Sequence, residues 1–101
     1  MIVVFGSINV DILMTLERLP RPGETVHGRD YRLAPGGKGA NQACAAARAA
    51  GDGARVAMVG RVGQDAWGPV ATRLLEEAGV DLSRVEESER PTGCATIWID
   101  A

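Results

Sequence analysis

The segment 34–53, APGGKGANQACAAARAAGDG, limits the possible folds more than any other part of the chain. Residues 41–50 predict a helix rich in alanine, six residues of ten. Alanine is the best helix former, and its lack of bulk lets the helix backbone approach a sheet closely. Gly51-Asp52-Gly53 stops the helix. Apolar runs precede and follow it. IVVF at 2–5 is continuous, rich in β-branched residues, and ends in Gly6-Ser7; ARVAMVG at 54–60 is a second such run. Both read as buried strands. Strands alternating with helices point to a parallel sheet covered by helices.

The pattern continues beyond that unit. GQDAWG at 63–68 is a turn with Asp65 placed as an N-cap. Val70, Leu74, Leu75 and Ala78 mark one face of a second helix, stopped by Gly79. VDLSRVEESER at 80–90 is a short polar strand, and PTGCATIWI at 91–99 is a clear strand. Residues 12–19, ILMTLERL, predict a half-exposed strand. PRPGE at 20–24 is a turn in which Pro22 fixes φ and Gly23 permits positive φ. TVHGRDYRLA at 25–34 is another polar strand. The strands within 12–34 and the last strand do not belong to the central sheet and read as a separate flap over it. Two buried strands with two helices make half a sheet, and the final strand runs to the end of the 101 residues. Both features predict the front piece of a larger protein.

Composition excludes several partners. The net charge is −2, with 46% hydrophobic and 24% charged residues, so nothing electrostatic favours nucleic acid or an anionic membrane. No apolar run approaches the roughly 20 residues that span a bilayer. IVVF follows Met1 without a basic segment and is too short for a signal peptide. Cys44 and Cys94 lack metal-ligand spacing and make no disulfide framework. They read as small core residues in a reducing, cytoplasmic setting. Ten residues are arginine but Lys38 is the single lysine, and Asn9 and Asn41 are the two asparagines. The glycine loop therefore holds the lysine and one asparagine.

That loop is not a phosphate loop. The pattern G-x-x-x-x-G-K-[ST] would need glycine where Arg32 stands and a hydroxyl where Gly39 stands. The dinucleotide pattern G-x-G-x-x-G meets Gln42 at its third glycine, and the loop follows a polar flap where a buried strand is required. A polyol site fits better. Gly36 and Gly37 remove side chains, so a ligand can touch backbone. Lys38 donates only, whereas Asn41 donates and accepts. GSINVDI at 6–12 adds an amide and a carboxylate, Asn9 and Asp11, two apart and so on one side of an extended segment. The same residues also serve as ordinary turn and helix-entry residues, so alone they leave both readings open. His27 reads as solvent-facing, Trp67 as packed at a helix start, and Trp98 as an interface residue or one whose partner is missing.

GSINVD at 6–11, RPGETVHGRDY at 21–31, GGKGANQA at 36–43, VAMVGRVGQDAWG at 56–68 and PTGCATIWI at 91–99 resemble the N-terminal part of the ribokinase-like (pfkB) carbohydrate kinase family. The resemblance covers the whole chain in order. It departs from the family at 49–53, where AAGDG makes a longer loop. It implies an α/β fold: the N-terminal half of a parallel sheet with flanking helices, from 1–11 and 36–91, plus a small β lid from 12–35 and 92–101.

The resemblance also implies a function, transfer of the γ-phosphate of MgATP to a sugar hydroxymethyl group, with ribose the expected sugar. Asn9, Asp11, Gly37, Lys38 and Asn41 match its sugar-binding positions, and Gly36-Gly37 matches a lid hinge. The lid implies a homodimer. The family's catalytic Asp, its ATP site and its monovalent-cation site match nothing in these residues. No catalytic residue and no metal ligand is therefore expected here, and the chain alone is expected to be inactive as a kinase. Open alternatives are a kinase for another sugar or a nucleoside, a non-catalytic sugar-binding or dimerisation module, and a truncated product with no role of its own.

Overall fold

The computed structural model of the chain describes residues 1–100. Its elements run β1 (Ile2–Phe5), β2 (Asn9–Leu16), β3 (Asp30–Gly36), α1 (Lys38–Ala50), β4 (Val56–Gly63), α2 (Trp67–Glu77), β5 (Asp81–Ser88) and β6 (Gly93–Asp100). They form two three-stranded sheets. One, in the order β1-β4-β5, is parallel throughout. The other, β3-β2-β6, pairs β2 antiparallel with β3 and parallel with β6. The second sheet takes in Asn9–Asp11, expected with the parallel sheet, together with strands from 12–34 and the last strand.

Helix α1 packs on β1 and β4. Helix α2 packs chiefly on β3 and β2 of the second sheet and also on β4 and β5. The core between them holds Ile8, Ala40, Ala43, Cys44, Val56, Met58, Ala71, Leu75 and Val80. The expected close approach is made at a glycine crossing. A Cβ on Gly39 would lie 2.7 Å from the Cα of Gly6, and one on Gly6 would lie 2.9 Å from the Cα of Gly39. The helix starts at Lys38, three residues before the predicted start. Gly37 turns the chain with φ 98°, and Ser7 then receives the amides of Gly39 and Ala40. Gly51 and Gly79, both at positive φ, end the two helices as predicted.

Three expectations are corrected. IVVF forms a strand, but not a buried one: Val3 is 57% and Phe5 84% exposed. β1 is an edge strand, and both helices lie on one side of its sheet, so residues pointing to the other side meet solvent. The strand expected over 25–34 begins only at Asp30. Residues 17–29 form a loop closed by the Arg18–Glu24 ion pair and by the Arg21 amide on Glu24 Oε1 at 3.1 Å. Cys44 is buried, but Cys94 is exposed. It sits on edge strand β6, whereas α2 covers β2 and β3. No helix among the described residues is long and apolar enough to cross a membrane.

Candidate functional site

The register of the second sheet sets the site. Asn9 pairs with Gly36 on one side and Gly93 on the other, and Asp11 pairs with Ala34 and Ala95. Alternation along a strand puts Asn9 and Asp11 on the same face, as their spacing predicted. Leu13 and Ile97 continue that face. Val10 points the other way and is fully buried.

Two glycines make room for the two polar side chains. The Asp11 carboxylate stands over the bare Cα of Gly36, where a Cβ would come 2.5 Å from Oδ1. The Asn9 amide stands over Gly93, and its Oδ1 is the nearest atom to where a Cβ would be. Asn9 and Asp11 are half-buried, and no hydrogen bond among the described residues reaches either side chain. A half-buried carboxylate with its acceptor sites open is free to take hydroxyl donors.

Gly37 lies against Ser7 and the Asn9 amide nitrogen; a Cβ on it would meet Ser7 O at 2.6 Å. Asn9, Asp11, Gly36 and Gly37 are thus brought together directly. Lys38 and Asn41 follow on the first turn of α1, both exposed. Asn41 also borders a groove of about 170 Å³ with Pro35, Ala40, Cys44 and Leu74. Pro35 pairs with Val10, so that groove opens on the side of the second sheet away from Asp11.

Two amides at the start of α1 are turned to Ser7. The Ala40 amide donates to Ser7 O at 2.9 Å and the Gly39 amide reaches Ser7 Oγ at 3.5 Å. A phosphate bound at a helix start uses such N–H groups, and the Ala40 amide is already taken by Ser7 O. Among the described residues no three His, Cys, Asp or Glu side chains cluster as metal ligands.

The sequence reading missed a second polar cluster. Asp65 does cap α2, accepting from the Trp67 and Gly68 amides at 3.1 Å each. It also accepts the Thr92 amide at 2.9 Å and the Thr92 hydroxyl at 2.7 Å. The Thr92 hydroxyl oxygen in turn accepts the Gly63 amide at 2.9 Å. Only the capping half had a local signal, because Thr92 is 27 residues away. The missed Gly93 showed itself only as a glycine inside a strand pattern, a mark of close approach.

The Thr92 amide, and then its hydroxyl, hold the Asp65 carboxyl below the usual carboxylate range; desolvation opposes them, and the Gly68 and Trp67 amides add to the lowering. A group that is more acidic when folded adds stability that is full above its unfolded pKa, about 3.9 for Asp. That stability is lost as pH falls through the folded value. The stability gap between the parent chain and Asp65→Asn is therefore expected to narrow below about pH 4. Thermal scans from pH 7 to 3 check it, and a gap of constant size contradicts it.

Comparisons with known proteins agree along the whole length. Residues 1–101 match the profile of the pfkB family carbohydrate kinase. The ribokinase of Lactococcus lactis is 42% identical over 96 residues, 95% of this chain and 31% of the relative. That of Mus musculus is 46% identical over 100 residues, 98% of this chain and 30% of the relative. The structure of Arabidopsis thaliana ribokinase complexed with ribose and ATP superposes with a TM-score of 0.87 at 38% identity, over 98% of this chain and 32% of that one. The chain thus spans about a third of the length of the relatives it matches.

Proposed function

The chain belongs to the pfkB family of carbohydrate kinases, and from that premise we propose that it is the sugar-binding part of an ATP-dependent kinase that converts ribose to ribose 5-phosphate. The observation that supports this most is the Asp11 carboxylate, which stands open over Gly36 beside Asn9. In this reading Asp11 accepts hydrogen bonds from two neighbouring sugar hydroxyls. Asn9 and Asn41 each donate and accept, Lys38 donates, and bare Gly37 lets the sugar lie against backbone. Gly36-Gly37 is the hinge on which the second sheet closes over the sugar.

We read the described residues as lacking a nucleotide site. The Ala40 amide at the α1 start donates to Ser7 O, which supports that reading. MgATP supplies the phosphoryl group, and we place its site, the monovalent cation and the catalytic base outside these residues. Asp11 is a binding group here and not a base. Phosphoryl transfer depends on positioning and electrostatic stabilisation of the phosphate, so sugar binding and turnover separate. Tyr31, Leu33 and Trp98, on the face of the second sheet opposite Asp11, are exposed, which supports a homodimer through that sheet. The free thiols Cys44 and Cys94 suit a reducing cytoplasm.

Calorimetric titration with ribose and a coupled ADP-release assay with ribose and MgATP test the proposal together. Heat of binding without ADP above the no-enzyme rate is the expected result. No ribose binding overturns the sugar-site assignment. Turnover by this chain overturns the placement of the phosphate machinery.

A further inference from the structure

The second sheet joins the rest of the molecule through three chain crossings, and all three fall in one row. β2 starts at Asn9, β3 ends at Gly36 and β6 starts at Gly93, and these three are register partners. The crossings are held differently. Ile8, before Asn9, is buried in the core. Gly37, after Gly36, turns at φ 98°. Thr92, before Gly93, is buried and bound through both its amide and its hydroxyl to one carboxylate, Asp65.

A cap needs only the two first-turn amides. Asp65 does more, because each of its oxygens also takes a bond from Thr92. The carboxylate is fixed from the α2 side, so it can hold Thr92 in place. The packing leaves no slack around it: a Cβ on Gly63 would come 2.5 Å from both Asp65 Oδ2 and the Thr92 nitrogen, and 2.7 Å from Arg90 O. One residue further on, Gly93 is the surface on which the Asn9 amide rests.

We infer that Asp65 is a positioning residue for the sugar site: through Thr92 it fixes the root of β6, so that Gly93 holds the Asn9 amide in the orientation that meets the sugar. This rests on the reading of Asn9 as a sugar ligand. Asp65 touches neither Asn9 nor the sugar; it acts through Thr92 and Gly93. One edge of the second sheet is pinned by a carboxylate, while the other turns on glycine at Gly36-Gly37. A shift of the β6 root moves the surface under Asn9 and leaves the core of the first sheet in place. Misplacement of a positioned group by about 1 Å can cost up to a hundredfold in function.

Proton–nitrogen spectra of the chain read this, because the parent has four side-chain amide pairs, from Asn9, Asn41, Gln42 and Gln64, and the pair that Asp65→Asn adds is identified by its absence from the parent and from the Thr92 variants. Thr92→Val keeps the shape and removes the hydroxyl; Asp65→Asn weakens the acceptor; Thr92→Ser keeps the hydroxyl. The side-chain amide pair of Asn9 is expected to shift in the first two variants and return in the third, with the Asn41 pair unmoved. Ribose titration is expected to show affinity lowered about tenfold in the first two and restored in the third. If Thr92→Val does not fold, Asp65→Asn supplies the same two readings. An Asn9 pair that stays put in a folded variant overturns the inference, even if ribose binds. So does a general movement of the whole spectrum, which means loosening without positioning. An Asn9 pair that shifts as expected in a chain that never binds ribose defeats the sugar-ligand reading and leaves Asp65 positioning Asn9 alone.

Discussion

An Asp11→Ala chain is expected to bind ribose at least a hundredfold more weakly than the parent while melting within about 2 °C of it. The binding loss follows from two hydrogen bonds to a charged acceptor, worth roughly 1.5–3 kcal/mol each. The lower figure for the pair is about 3 kcal/mol, and 1.4 kcal/mol is tenfold. The small change in stability follows from where the carboxylate sits. It is half-buried, takes no hydrogen bond among the described residues, and stands over the Cα of Gly36. Removing it leaves no protein donor without a partner. Calorimetric titration and a thermal scan on the same sample measure both quantities. An affinity drop of less than threefold removes Asp11 from the site; a large fall in melting temperature means that the carboxylate is structural.

Gly39→Ala is expected to have the opposite profile, with the fold failing before the site does. The added methyl would meet Gly6 C, Gly6 Cα and Ser7 N, each at 2.7 Å, and all three are backbone. No side chain can swing away, so either α1 or the end of β1 must move. Overpacking of this kind costs up to about 3 kcal/mol or more, against a total of roughly 5–15 kcal/mol for a domain. At about 4–8 °C per kcal/mol for a chain of this size, the midpoint should fall by roughly 15 °C. Circular dichroism on heating measures it. A midpoint within a few degrees of the parent shows that helix and strand can separate at no cost, contrary to the packing described above.

The alternation of apolar runs with an alanine helix was enough to place β1, α1, β4 and α2 in order, because each carries a local periodic signal. Exposure was not legible in the same way. IVVF reads as buried from its composition, but whether a strand is covered depends on which neighbours it has, and β1 has one neighbour and helices on one side only. Cys94 fails for the same reason on β6. In the site, the spacing of Asn9 and Asp11 predicted a shared face, because a strand has period two. That Asp11 would lie over Gly36 and Asn9 over Gly93 could not be read, since strand register is set by partners far along the chain. Asp65 shows the boundary within one side chain. Its bonds to Trp67 and Gly68 are local and were predicted; its bonds to Thr92 cross 27 residues and were not.

The row Gly36–Asn9–Gly93 gathers the three covalent links of the second sheet into one line, while α2 holds its β2 and β3 by packing. Residues 9–36 and 93–100 are cut from their neighbours at three peptide links that lie side by side. Exchanging these two segments for those of a relative would carry Asn9, Asp11 and Gly36 along with them, and the incoming sheet would have to match the face of α2 that packs on β2 and β3.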